Sequence, residues 1–147
     1  MPSLALFVAC ERSIIEENTK LVSLISLLNG VKGAIPAGEP PPRNAVAPKE
    51  WSIVCGWDAV GDEEGTEYVQ CLDIFWPDGK PFVETNKVKF SLQKGKRHYQ
   101  TSRLHGFPVG QAGRCLMQAW AEQDGNPVTE KVSLYITVEH EFTATPL

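Results

Sequence analysis

The residues best suited to bind a charged partner lie in one basic segment, which runs from Lys87 to Arg103 and contains no acidic residue. Lysine and arginine side chains bind phosphate groups, acidic proteins and anionic membrane surfaces. The whole chain carries a net charge of -4, so positive charge is concentrated here against an acidic remainder. The residues predicted to contact an anion or a partner are Lys94, Lys96, Arg97 and Arg103.

The same segment has a structural interpretation. Lysines on an exposed strand prevent two sheet edges from pairing with each other. The sequence pI of about 5.4 also argues against a dedicated nucleic-acid binder. We therefore favour edge protection, and keep binding of an anion or nucleic acid as the alternative.

Signatures of enzymes and metal sites are missing from the sequence. The three histidines, His98, His105 and His140, lack the close His or Cys pairs that zinc sites use. Ser102 lies near His105 in sequence, but no evident acid would orient the imidazole of a catalytic triad. The sequence therefore predicts no catalytic residue, no cofactor and no metal ligand. An enzyme with a site built from loops is the least favoured hypothesis.

One acidic turn offers clustered carboxylate oxygens, which calcium prefers as ligands. Its spacing matches no calcium-binding loop, and carboxylates in turns are usually solvated. The sequence therefore predicts an ordinary exposed turn formed by Asp58, Asp62, Glu63 and Glu64.

Trp120 is the aromatic residue predicted to face a partner. In an extended strand it shares a side with Gln118 and Glu122, whereas the apolar residues from Cys115 to Ala121 alternate onto the other side. A tryptophan on a polar side suits a partly exposed contact. By contrast, Trp51 and Trp57 share a side with apolar neighbours and are predicted to be core residues.

The elements that position these residues are strands. From Val132 to Val138 every second residue is apolar, and the residues between them are mostly polar, which is typical of a half-buried strand. A compact Asp-Gly-Asn-Pro break separates this run from a similar one before it, so the last third predicts an antiparallel hairpin.

Similar runs elsewhere predict an all-β fold. We expect a single domain over residues 1–147: an antiparallel two-sheet β-sandwich of about eight strands, with an immunoglobulin-like or C2-like Greek key and little helix. Residues 14–28 also allow a helix, but their serines, asparagine and β-branched residues favour strand. The other predicted strands cover residues 4–12, 21–28, 31–35, 51–58, 67–76, 87–92 and 99–106.

A proline-rich segment at residues 36–50 interrupts the strand pattern. Proline lacks a backbone donor, so we expect this segment to be a crossover loop between the two sheets. Its Glu-Pro-Pro-Pro-Arg core could also be a polyproline ligand for an aromatic groove, and we favour the connecting role.

The cysteines and apolar runs indicate a compartment. Cys10, Cys55, Cys71 and Cys115 each lie in an apolar run without close Cys pairs, so we expect reduced core thiols in a cytoplasmic protein. No apolar run approaches the ~20 residues of a membrane-spanning helix. We therefore expect no membrane association.

Four short motifs carry a resemblance to known proteins. They are Leu-Phe-Val-Ala-Cys-Glu, Leu-Leu-Asn-Gly, Pro-Val-Gly-Gln-Ala-Gly-Arg and Asp-Gly-Asn-Pro. In these motifs the chain resembles a family of uncharacterised bacterial domain proteins of about this length. The resemblance implies a β-sandwich and a bacterial source, but no activity. Together with the residues above, it suggests a non-catalytic interaction or structural module that binds a protein partner or forms a homo-oligomer.

Overall fold

The computed structural model describes residues 1–15, 21–36, 38–61 and 65–143. These residues contain ten strands and no helix, which confirms the all-β prediction. The count exceeds the predicted eight partly because one strand has only two residues. The strands are β1 (Pro2–Ile15), β2 (Val22–Leu27), β3 (Gly30–Pro36), β4 (Val46–Ala59), β5 (Glu67–Phe75), β6 (Asn86–Ser91), β7 (His98–Pro108), β8 (Gly113–Gln123), β9 (Asn126–Pro127) and β10 (Val132–Thr143).

The strands form two sheets. The four-stranded sheet has the order β2-β1-β4-β7, and its neighbours are all antiparallel. The six-stranded sheet has the order β3-β10-β8-β5-β6, with β9 beside β8. The prediction of purely antiparallel sheets is wrong at one place, because β3 runs parallel to β10. Alternation of side chains does not reveal this, since it is the same in parallel and antiparallel strands.

The core contains the apolar sides of strands from both sheets. Trp51 and Trp57 of β4 are 1% and 0% exposed, which confirms them as core residues. From the six-stranded sheet, Met117 and Ile136 are fully buried in the same cluster. The alternation in the sequence therefore identified the inward side of these strands correctly.

The predicted closing hairpin is confirmed. β10 pairs antiparallel with β8, from Val132 opposite Ala119 to Val138 opposite Gly113. The chain reverses after β8 through Asp124 and Gly125, whose φ angles are 52° and 80°. Two consecutive positive φ angles define the type I′ turn that suits the twist of a hairpin.

Replacing Gly125 with alanine should lower the free energy of unfolding by about 1 kcal/mol, because an L-residue is strained at positive φ. A Cβ added there meets no atom within 4 Å, so only the backbone conformation is penalised. Urea denaturation measures the change. Gly33→Ala in β3 is the control, since Gly33 has ordinary φ and an added Cβ lies 4.0 Å from the nearest backbone oxygen. If Gly125→Ala and Gly33→Ala lowered the free energy of unfolding by the same amount, the positive φ of Gly125 in this turn would be wrong.

The proline-rich segment follows β3 of the six-stranded sheet and leads into β4 of the four-stranded sheet. Its last residues are part of β4, which begins at Val46 and includes Pro48. The pairing of β4 with β7 shifts register between Ala47 and Glu50. Such an irregularity accommodates a proline, which lacks a ladder donor.

The four cysteines are all buried, and none forms a disulfide. Burial raises the pKa of Cys55 to about 12 and the pKa of Cys115 to about 11. These two thiols therefore stay protonated at neutral pH and pack as small apolar groups. Within the described residues, no helix has the length and apolar character needed to span a membrane.

Candidate interaction surface

The basic segment supplies two edges of the sandwich. Its first part is β6, the last strand of the six-stranded sheet, and its final part lies in β7, the last strand of the four-stranded sheet. Lys94 and Lys96 are exposed in the connection between them. Arg103 is also exposed, but it lies six residues beyond Arg97, or about 20 Å along an extended chain. The predicted contact residues therefore do not form one compact cluster.

Acidic residues from other strands neutralise much of this segment. The Lys87 ammonium lies 3.3 Å from a carboxylate oxygen of Glu122, and the Lys89 ammonium lies 3.7 Å from Glu67. The sequence could not show these pairs, because the acids are far away along the chain. Lysines on a sheet edge oppose edge-to-edge association. This arrangement supports the edge-protection interpretation, and anion binding stays a prediction.

Arg97 binds Asp58 instead of facing solvent with a free guanidinium. Its Nε and Nη2 donate hydrogen bonds to the two carboxylate oxygens at 2.7 and 3.0 Å. The hydrogen bonds from Arg97 hold the pKa of the Asp58 carboxyl below its usual range. The pair joins β4 to the start of β7 on the outer side of the four-stranded sheet.

Replacing Arg97 with glutamine should raise the pKa of Asp58 toward its ordinary value, because the hydrogen bonds that favour the carboxylate are lost. A lowered pKa in the folded state stabilises the protein above the unfolded-state pKa, and this contribution disappears as pH falls through the folded-state pKa. The stability difference between wild type and variant should therefore shrink in acid. Carboxyl NMR titration measures the shift, and Lys96→Gln is the control. An unchanged Asp58 titration would contradict the pairing.

Trp120 is buried, so the prediction of a partly exposed contact is wrong. Only 6% of the residue is accessible. The Lys131 ammonium lies 4.3 Å from the centre of the indole ring, and the indole Nε1 donates to Glu122 at 3.4 Å. Long polar side chains can cover an aromatic ring while keeping their charges in water. Trp120 therefore stabilises the outer side of the six-stranded sheet.

The histidines lie in three different environments. His98 stacks on Phe90 with ring centres 5.4 Å apart, whereas His105 lies 3.2 Å from the carboxylate of Glu50. His140 Nε2 lies 2.6 Å from the carbonyl oxygen of Val109. Among the described residues, no three His, Cys, Asp or Glu side chains gather as metal ligands would. Most of the predicted acidic turn, residues 62–64, lies outside the described residues.

Gln111 ties the proline-rich loop to a neighbouring turn, a role that sequence reasoning missed. The side chain is 8% exposed. Its Nε2 donates to the carbonyl oxygen of Arg43 and to the Asp78 carboxylate, both at 3.3 Å, and its Oε1 accepts from the Asp78 backbone at 3.2 Å. The contacts of Arg43 thus give this end of the loop a structural role.

A two-stranded ribbon with exposed apolar side chains stands out on the four-stranded sheet. Up to Cys10, β1 pairs with β4, and from Arg12 to Ile15 it pairs with β2. We call residues 11–15 and 22–27 the ribbon. Ser13 Oγ lies 3.4 Å from Thr101 Oγ1 of β7, which places the ribbon across the outer side of the sheet. Exposed apolar side chains on it are Ile14 (43%), Ile15 (42%), Ile25 (41%) and Leu27 (62%).

The edge of the ribbon differs from the other sheet edges. β2 is the terminal strand of its sheet, and residues 21–31 contain no charged residue. The other terminal strands carry basic residues: lysines in β6, Arg103 in β7, and Lys32 in β3. Charges and proline are the usual protection of a free edge. Among the terminal strands described, β2 is therefore the one without a charge to oppose pairing.

Among the described sheet edges, that of the ribbon thus combines a lack of charge with exposed apolar side chains. The sequence shows that residues 21–31 are uncharged. The alternation of side chains does not reveal, however, which strand lies at the edge of a sheet. A comparison with known protein families finds no match, and a comparison with curated proteins finds no similar sequence.

Proposed function

We propose that this protein is a non-catalytic interaction module that binds a protein partner by adding a strand to the free edge of β2. The observation that carries this proposal is the uncharged, apolar edge of the ribbon beside three terminal strands that bear charge. The immunoglobulin-like or C2-like Greek key and the bacterial, cytoplasmic setting belong to the same proposal. The strand pattern suggests the Greek key, the family resemblance implies the bacterial source, and the cysteines without close Cys pairs suggest the cytoplasm.

Strand addition matches the chemistry of a sheet edge. Alternate residues of a terminal strand direct their backbone N–H and C=O groups away from the sheet, where a further strand can pair with them. Backbone pairing supplies affinity, and flanking side chains supply selectivity. On the ribbon, Ile14 and Ile25 would provide apolar contacts next to the backbone pairing.

The charged edges make this mode of binding selective for one side of the molecule. A strand approaching β6 meets Lys87 and Lys89, and one approaching β3 meets Lys32. A partner strand that carries positive charge, or whose side chains are mainly apolar, is therefore directed to β2. The bend at Ser26, with φ of 55°, ends the straight part of this edge after Ile25. The proposed docking segment is consequently short.

Site-specific photo-crosslinking tests the proposal in cells that naturally produce the protein. A photoreactive amino acid at Ser23 in β2 should give a covalent adduct with a second chain, because Ser23 is exposed on the proposed edge. The same amino acid at Lys89 in β6 is the control and should give little adduct. If Ser23 yields no more adduct than Lys89, the proposed function is wrong.

A further inference from the structure

We infer that the strand added to β2 is β2 of a second copy of this chain, paired antiparallel about a twofold axis; this inference rests on the proposed function. The contact would join the two-stranded ribbons of the two copies into four paired strand segments, two from each copy. The twofold axis passes between the Ser23 residues of the two copies. Both copies use the same edge, so the assembly ends at a dimer.

Charge favours a second copy as the occupant of this edge. Twofold pairing places a strand against itself, so any charge near the axis meets an identical charge. At β6 this would oppose lysines to lysines, and at β3 it would bring Lys32 close to its copy. Each of these lysines has an acidic partner on a neighbouring strand, but such exposed ion pairs are weak and leave the ammonium groups to repel each other. Like charges directly opposite each other destabilise a sheet. Residues 21–31 carry no charge, so self-pairing of β2 has no such penalty.

Sheet geometry limits the possible registers of this pairing. A twofold axis perpendicular to the sheet keeps each residue on its own side of the sheet, while directly opposite residues must share a side. One residue of β2 must therefore lie opposite itself. If that residue is Ser23, pairing extends from Leu21 to Ile25 and ends before the bend at Ser26. An axis at Leu24 would instead place Val22 opposite the bent residue.

The same register buries exposed apolar groups. With the axis at Ser23, Leu21 of each copy lies opposite Ile25 of the other copy. These side chains are 65% and 41% exposed in the isolated chain. Their mutual contact removes apolar surface from water at both ends of the pairing. A closed contact would also keep the uncharged edge of β2 from open-ended association, since the pairing occupies that edge in both copies.

The first test is the oligomeric state of the purified protein. Sedimentation velocity at low and high micromolar concentration should show a reversible dimer. Ile25→Lys should raise the dimer dissociation constant about a hundredfold, because it replaces an apolar contact with Leu21 of the other copy by a charged group that would have to leave water. Val60→Lys is the matched control, since Val60 is a 69% exposed apolar residue outside the ribbon. A dimer that resists Ile25→Lys would overturn the inference.

Disulfide trapping tests the register. In Ser23→Cys protein the new thiols of the two copies face each other at a separation that a disulfide can span. The four native cysteines are buried, so the new thiol is the accessible one. Mild oxidation should give a covalent dimer with Ser23→Cys, and none with Lys89→Cys in β6. Absence of the Ser23→Cys dimer would overturn the proposed axis.

The failures of the two proposals can be told apart. If the purified protein is monomeric and the cellular Ser23 adduct has a mass other than twice that of the chain, the second copy is excluded and the proposed function stands. If Ser23 gives no adduct and the purified protein is monomeric, both proposals fail.

Discussion

Replacing Gly110 with alanine is expected to lower the free energy of unfolding by more than about 3 kcal/mol, because the new Cβ would overlap backbone atoms. It would overlap the carbonyl oxygen of Pro42 and lie 2.6 Å from both the amide nitrogen of Ala45 and the carbonyl oxygen of Arg43. Real Cβ contacts of this length essentially do not occur. The loop must move or the protein must unfold.

Hydrogen bonds hold the loop in the position where the overlap occurs. The Ala45 amide donates to Pro42 at 2.9 Å, and the Val109 and Gly110 amides donate to the Ala45 carbonyl oxygen at 3.1 and 3.0 Å. Moving the loop away would break these bonds, and each broken bond leaves a backbone group to be satisfied again. A small shift therefore cannot relieve the overlap.

Urea denaturation of Gly110→Ala gives the measurement, and Gly33→Ala is again the control because it adds the same methyl group at an ordinary van der Waals distance from its nearest neighbour. The control should keep nearly the stability of wild type. If Gly110→Ala were equally stable, the close approach of the proline-rich loop to Gly110 would be wrong. If the variant does not accumulate in folded form while Gly33→Ala does, the expected loss is confirmed.

Alternation predicted the parts of the fold in which neighbours along the chain decide the outcome. The closing hairpin and the burial of Trp51 and Trp57 follow from side chains that alternate between a sheet's two sides. The direction of β3 did not follow, because its parallel neighbour, β10, comes about a hundred residues later. Pairing between such distant segments depends on the packing of the whole chain, which a local pattern does not encode.

The candidate surfaces were predicted less well, for a related reason. Charge counting marked the basic segment, but Asp58, Glu67 and Glu122 approach it from other strands and pair with its basic residues. Trp120 was judged from its neighbours within β8, whereas Lys131, next to β10, covers its ring. The uncharged run of β2 was visible in the sequence. Its significance depends on β2 being a terminal strand, which only the sheet order reveals.

A buried hydrogen bond joins the two sheets and gives the last prediction. The indole Nε1 of Trp57 donates to Oε1 of Gln70 at 2.8 Å, and both residues are 0% exposed. Gln70 Nε2 is buried and has no hydrogen-bond partner in the described part of the chain. A buried polar group without a partner costs roughly 1–3 kcal/mol. The bond to Trp57 therefore offsets only part of the cost of burying Gln70.

The two single replacements should destabilise the protein for different reasons. Trp57→Phe leaves a cavity and also leaves both polar atoms of the Gln70 amide without partners, so we expect a loss of about 3 kcal/mol or more. Gln70→Leu removes the unpaired Nε2 but leaves the Trp57 indole N–H without an acceptor. We expect this loss to be smaller, about 1–2 kcal/mol, since one cost is removed as another appears.

The double variant Trp57→Phe with Gln70→Leu should lose less stability than the sum of the two single losses, by about 1–3 kcal/mol, because it leaves neither buried polar group unpaired. Urea denaturation of the four proteins gives this coupling energy. Additive losses would mean that the hydrogen bond between the sheets contributes nothing to stability. Coupling of the expected size would mean that a directional bond, besides apolar contact, sets how β4 packs against β5, because Trp57 and Gln70 must meet at one relative position of the two sheets.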